Sequence, residues 1–269
     1  LRSLMRDLDP TDFKMHCAVW NGSDQPLDVF ARSWDEWVGW NSWRPGKNVF
    51  NRQFIFSLMQ VYDEPECWLF GGAFEVMKRG TTPNSHAYEI ELRPEVLPGH
   101  IGRLKLRYRL PGRNNRVYFE NALDQIEVVE ILPEPYAGRE FPGHDKINVS
   151  LSELEVVFAQ DRPDWRGALQ HMKGVYVIHD RVSGKPYVGS AYGDTGIWSR
   201  WGKYAASLHG GNIDLRDLVD RNGDEYVREN LMFALLEFWT MRTSDDHVIE
   251  RENYWKSVLL SREFGHNKN

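Results

Sequence analysis

The chain has 269 residues, enough for one large domain or two ordinary ones, with 41% hydrophobic residues, 27% charged residues and a net charge of −6. No stretch approaches the roughly 18–20 uninterrupted apolar residues of a membrane helix, and the opening LRSLMRDLDPTDF has no apolar signal core, so a cytoplasmic protein without membrane contacts is expected. The acidic balance argues against a nonspecific coat on nucleic acid but leaves room for a local basic cleft, and Cys17 and Cys67 form neither a CxxC pair nor a zinc-spaced cluster.

The run FARSWDEWVGWNSW (30–43) reads as an aromatic-rich helix leading into a loop, its tryptophans suited to packing before base stacking. Alternating apolar runs then predict strands at 54–62, 67–77, 86–92, 103–110, 116–121 and 126–132, separated by Gly, Pro and Asn clusters. Such closely spaced strands predict a small barrel or a strongly curved sheet. A connector follows at 134–144, and Leu151–Ala159 reads as a helix with Ser150 as N-cap. Asp161-Arg162-Pro163-Asp164-Trp165 breaks that helix. The expected class is α+β, with a β-rich domain over 1–160 and a smaller α/β domain over 161–269.

In the second region Gly174-Val175-Tyr176 and Tyr187-Val188-Gly189 flank the turn-like Arg181-Val182-Ser183-Gly184. This predicts a β-hairpin carrying two phenols on one small sheet. The segment 196–208 reads as an amphipathic helix with Ile197, Trp201, Ala205 and Leu208 as its buried stripe. Arg200 and Tyr204, four apart, share one face of it. After Gly210-Gly211-Asn212 comes a short helix around 215–219, stopped at Asn222-Gly223. The run 229–239 suits either a strand or a buried helix. Thr243-Ser244-Asp245-Asp246 supplies N-caps for a last helix to about residue 260, with Val248, Trp255 and Leu259 in the core and Glu252 at the edge of the buried face.

Together these residues resemble the GIY-YIG nuclease superfamily over about 173–269. The resemblance is carried by Gly-Val-Tyr176, Tyr187-Val-Gly, Arg200-x-x-x-Tyr204, Glu-Arg-Glu252-Asn-Tyr-Trp and the terminal Gly265-His266-Asn267. It implies a small antiparallel sheet flanked by helices. It also implies a carboxylate, Glu252, that holds one Mg²⁺ (Mn²⁺ able to substitute), an ion content with oxygen ligands and retained waters. By the same resemblance Arg200 grips the phosphate, Tyr176 is the general base and Tyr187 supports it or the metal's water shell. Asn267 braces the site. An ordinary phenol has a pKa near 10, so the base role requires Arg200 and the metal to favour phenolate. Tyr204 stands where many members carry His. Glu250 and Glu237 compete with Glu252 as ligand, and His209 suits a loop or capping role.

The resulting expectation is a Mg²⁺-dependent endonuclease on double-stranded DNA, of restriction or phage-defence type. Its β-rich domain would recognise specific or modified DNA through residues such as Arg113 and Arg116. Lys185 and Asn212 are candidate backbone contacts. The alternatives are a structure-specific repair or recombination nuclease and a catalytically silent nucleic-acid-binding protein. Cutting both strands with one site per chain would suit a homodimer.

Overall fold

The computed structural model describes residues 1–43, 48–62, 64–79 and 88–268. The chain forms two compact units, Leu1–Tyr136 and Ala137–Asn269. The division precedes the position near 160 expected from composition. Val149–Ser150 pairs with the strand Leu231–Thr240, and Leu151, Leu154 and Val157 pack in one core with Tyr176, Trp201 and Phe233. The helix that composition assigned to the first region is therefore fastened to the second.

Unit 1 contains β1 (Phe13–Ala18), α1 (Pro26–Arg32), α2 (Trp34–Ser42), β2 (Phe54–Gln60), β3 (Cys67–Arg79), β4 (Tyr88–Leu92), β5 (Leu104–Arg107), β6 (Arg116–Tyr118), α3 (Phe119–Ala122) and β7 (Glu127–Ile131). The sheet runs β6-β1-β2-β3-β5-β7, with β4 also pairing β3. The β1–β2 pair is parallel and the others are antiparallel. Among the described residues β6 and β7 end the sheet without meeting, so it is open and not a barrel. One face packs on Met15, Cys17, Phe56, Phe70 and Leu106, the other on Trp37, Ile55, Met59 and Leu69.

Three local readings change. The run 30–43 belongs to two helices, because Ser33 ends α1 and then accepts from the Glu36 N–H as N-cap of α2. The run 116–121 bends from strand into α3 at Phe119. Strand β1, FKMHCA, is absent from the expected strands although it alternates Phe13, Met15 and Cys17 with Lys14 and His16; both of its faces are buried. The strand expected at 86–92 is present from Tyr88, while His86 and Ala87 lie outside the described residues.

Unit 2 contains β8 (Val149–Ser150), α4 (Leu151–Ala159), α5 (Pro163–Leu169), β9 (Met172–Asp180), β10 (Pro186–Ala191), α6 (Gly196–Ser207), α7 (Ile213–Asn222), α8 (Asp224–Asn230), β11 (Leu231–Thr240) and α9 (Asp245–Val258). Its antiparallel sheet has the order β10-β9-β11-β8. The ambiguous run 229–239 is largely strand, its edges claimed by β9 and β8. Ser150 and Glu153 form a reciprocal capping box at the start of α4. Side-chain alternation on β9 sends Tyr176 and Ile178 into one core with α4 and α6, and Val175 into another with Val188 and Val248. Among the described residues no helix is long and apolar enough to cross a membrane.

Candidate active site

The hairpin β9–β10 places its two motif tyrosines on one face. Tyr176 lies opposite Gly189 and Tyr187 opposite Ile178. Glycine at 189 is a steric requirement: a Cβ there would lie 2.6 Å from the Tyr176 hydroxyl. The phenol thus reaches across β10 through the gap that the missing side chain leaves. Helix α6 closes over this face through Ile197, Trp201 and Tyr204, all fully buried. Gly174 permits that approach, since a Cβ there would meet Ile197 Cδ1 at 2.9 Å.

Arg200, one turn before Tyr204, ties the site together. Its Nε donates to the Tyr176 hydroxyl at 3.0 Å, one Nη to the Tyr204 hydroxyl at 3.2 Å and the other to the Gly210 carbonyl at 3.1 Å. The two hydroxyls are 3.0 Å apart. Burial raises the pKa of both phenols; Tyr187 adds to the effect on Tyr176, and Arg200 opposes it at both. Burial also works against the charge on Arg200, but the surrounding phenol oxygens outweigh it and its pKa rises. The result is a charged guanidinium held in a fixed plane by two neutral phenols.

That guanidinium lines a cavity of about 360 Å³ together with Tyr187, Ser190, Lys203 and Glu252. Glu252 projects from α9 with its side chain 16% exposed. One carboxylate oxygen accepts from the Ser190 hydroxyl, and the other is 2.9 Å from Lys256 Nζ. A second cavity of about 380 Å³ shares Tyr187 and Arg200 and continues along Gly210, Gly211, Asn212 and Lys268. The expected Tyr187, Arg200 and Glu252 therefore meet on one wall. Tyr176 and Tyr204 stand directly behind Arg200.

Among the described residues no cluster of three or more His, Cys, Asp or Glu side chains could form a protein-only metal cage. The donor set suits a different ion. A single carboxylate in a polar cavity matches Mg²⁺, which takes oxygen ligands and keeps most of its water. Six waters at about 30 Å³ each occupy about 180 Å³, within the 360 Å³ present. The residues fit a hydrated cation at Glu252, with Lys256 as its competitor for one oxygen.

Asn267 works from outside the cavity. Its Oδ1 accepts from the Val188 N–H and its Nδ2 donates to the Val188 carbonyl, each at 2.8 Å. The side chain thereby imitates a neighbouring strand at the edge of β10, one residue from Tyr187. Lys185 is exposed in the hairpin turn. Asn212 caps α7 by accepting from the Leu215 N–H at 2.9 Å, besides lining the second cavity. Arg113 and Arg116 belong to unit 1.

No family model matches the chain, and no curated protein matches it. Two solved structures are similar to part of it. One is a mutant of the catalytic domain of intron endonuclease I-TevI, 27% identical, covering 36% of this chain and 94% of that one, with a TM-score of 0.30. The other, described as the catalytic domain of homing endonuclease I-TevI, is also 27% identical and covers 36% of this chain and 98% of that one, with a TM-score of 0.29.

Sequence reasoning missed Ser190, Lys203 and Lys256. Two of them carried a signal: Ser190 directly follows Tyr-Val-Gly, and Lys256 is four residues after Glu252 on one helix. Glu237, the rival ligand, is spent elsewhere. Its carboxylate takes the Arg251 guanidinium at 2.9 Å and the Trp255 indole N–H at 2.9 Å. Glu250 is exposed, and His209 accepts from the Gly211 N–H at 3.0 Å, a loop contact.

Proposed function

We propose that this protein is a Mg²⁺-dependent GIY-YIG endonuclease that hydrolyses phosphodiester bonds in double-stranded DNA. The observation that carries the reading is the shared wall of Arg200, Tyr187 and Glu252, with Arg200 locked in plane by Tyr176 and Tyr204. Hydrolysis of a phosphodiester needs a positioned water, a donor for the charge that builds on phosphorus oxygens, and help for the leaving oxygen. Arg200 presents a rigid fork to a phosphate oxygen, and Lys203 adds positive charge to the same wall. Glu252 would hold the Mg²⁺, which when bound supplies Lewis-acid polarisation of the phosphate and of a coordinated water.

Tyr176 is the proposed general base. Arg200 Nε and the Tyr204 hydroxyl both stand within hydrogen-bond reach of its oxygen, and two donors favour phenolate against the burial that opposes it. Tyr187, the phenol on the cavity wall, orders the attacking water beside it. A second assignment reverses the pair, because Tyr187 lines the cavity and Tyr176 does not. With Tyr176 as base, activity rises with pH as that phenol ionises. Tyr176→Phe abolishes that rise in the first assignment; in the second, Tyr187→Phe costs more cleavage rate than Tyr176→Phe.

The biological setting that fits is restriction or phage defence, with unit 1 as the part that reads specific or modified DNA. Two copies on a duplex would cut both strands. The test is cleavage of plasmid and of unmodified, methylated and hypermodified duplexes with Mg²⁺, by wild type, Glu252→Ala and Arg200→Ala. Equal products from all three proteins would sink the nuclease reading. Cutting of branched or flapped DNA alone would transfer it to the structure-specific class.

A further inference from the structure

Strand β6 ends the unit 1 sheet, and its face gathers cations. Antiparallel register sets Tyr118 opposite Lys14 and Arg116 opposite His16. Lys14 Nζ lies 3.2 Å from the centroid of the Tyr118 ring, and the Arg52 guanidinium lies 4.8 Å over the same ring. The Arg116 guanidinium is 5.6 Å from the Phe50 ring. Asn51 Nδ2 donates to the Tyr118 hydroxyl at 3.0 Å. Arg79 donates to the carbonyls of Phe50 at 3.3 Å and Arg52 at 2.5 Å, which fixes the segment that carries Arg52.

Lys14 and Arg52 thus share the Tyr118 ring, and Arg116, two residues away on the same strand, lies over the buried Phe50, on a chain whose net charge is −6. Glu120 accepts from Arg52 Nη2 at 2.6 Å, and Asp9 interacts with Arg52 electrostatically. Among the described residues neither Lys14 nor Arg116 has a carboxylate within ion-pair distance. The Nε atoms of Arg52 and Arg116 are both buried with no hydrogen-bond partner. Arg116 has its pKa lowered, chiefly by burial. Glu120 Oε2 in the same cluster is likewise buried without a partner, so the Nε atoms are closed to solvent. Crowded like charges cost free energy, and an anionic oxygen at the outer Nη groups would relieve that crowding.

We propose that this edge of unit 1 docks the phosphodiester backbone of duplex DNA. The proposal deepens the nuclease reading and rests on it for the identity of the substrate. Arg52 Nη2 is held by Glu120 and Arg116 Nη1 by the Asn115 side chain at 2.8 Å, which leaves the other Nη of each to donate to a phosphate oxygen. Such contacts set the position of the protein on DNA without reading its bases. The patch would supply the salt-sensitive part of binding, leaving base recognition to other residues of unit 1.

The experiment is binding of a labelled duplex by the full chain carrying Glu252→Ala, measured by anisotropy across a salt series. Arg52→Gln with Arg116→Gln is expected to weaken binding roughly tenfold or more at low salt and to reduce the slope of log K against log salt by about two. Glu120→Gln, which removes the carboxylate that competes with phosphate for Arg52, is expected to tighten binding and steepen the slope. That gain keeps the proposal testable even where the double variant folds poorly. A folded double variant with an unchanged slope, or Glu120→Gln without a gain, overturns it. So does competition by polyglutamate as strong as that by unlabelled DNA, which would show a site for any polyanion. Wild-type cleavage is measured in parallel. Slope changes without any cleavage would sink the nuclease reading and leave this surface standing, whereas cleavage with unchanged slopes would sink only the surface.

Discussion

Each unit buries a polar cluster among aromatic rings, and the two clusters are finished in opposite ways. In unit 1, His16 Nδ1 and Asn41 Oδ1 are 2.9 Å apart, the Ser57 hydroxyl donates to the same oxygen, and Asn41 Nδ2 donates to the Trp37 carbonyl at 2.9 Å. His16, Asn41 and Ser57 are essentially inaccessible, and Phe50 packs edge-on against the imidazole. In unit 2, Tyr176 and Tyr204 are just as buried, but the Arg200 they hold continues to a cavity wall. A satisfied, sealed network specifies a fold. One that delivers a charged group to a cavity can do chemistry. Burial and hydrogen bonding alone do not distinguish them; the open side does.

The sharpest break of this comparison is Arg200→Ala. Removing a preorganised donor to a developing oxyanion typically costs about 10²–10³ in rate, and Arg200 also holds both phenols, so a loss near the upper end of that range is expected in single-turnover cleavage. Arg200→Lys should recover little, because an ammonium cannot bridge two hydroxyls and a carbonyl in one plane. Full activity in Arg200→Lys would mean that only charge is required there.

His16 offers the complementary test in unit 1. Burial first, then the nearby Arg116, pushes its pKa down to about 4, against the hydrogen bond to Asn41. The unfolded chain therefore binds the proton more readily than the fold does. Stability from this residue is complete above about pH 6.5 and is lost as pH falls toward 4, by about 3 kcal/mol at most. Urea unfolding of wild type and His16→Gln across that window checks it. The variant should start lower and show a flatter acid limb; equal slopes would mean that other groups govern acid unfolding.

How much of this was legible in the sequence follows from the same physics. The hairpin, α6 with its Arg200–Tyr204 spacing and the Ser150 cap are local patterns, and local patterns were readable. Strand β1 showed alternation only over a short run, and what covers its Lys14 and His16 face, Tyr118 and Asn41, is distant in sequence. The barrel expectation failed because strand content says nothing about whether the end strands meet. The role of Asn267 depended on a contact 79 residues away, which no spacing rule supplies.

Asn267→Ala should cost about 2 kcal/mol, since it leaves the N–H and carbonyl of Val188 without partners at a buried edge. Its effect on cleavage should exceed its effect on DNA affinity, because Tyr187 would lose its brace while the surface in unit 1 would not change. An affinity loss as large as the rate loss would mean instead that the C-terminal segment touches DNA.

The smallest expected effect concerns the cation at Glu252. Lys256 and Glu252 form a pair whose side chains are 8% and 16% exposed, so Lys256→Gln leaves a mostly buried carboxylate with only the Ser190 hydroxyl. Removing one partner of such a pair is destabilising, here by about 1 kcal/mol given its partial exposure. A divalent ion would replace the lost charge. The variant should therefore melt below wild type in chelator and recover most of the difference in Mg²⁺, gaining more from the ion than wild type does. Equal gains in both proteins would place the ion away from Glu252. No gain in either would leave the carboxylate as a structural partner of Lys256 and Ser190, and the comparison with the sealed cluster of unit 1 would then turn on Arg200 alone.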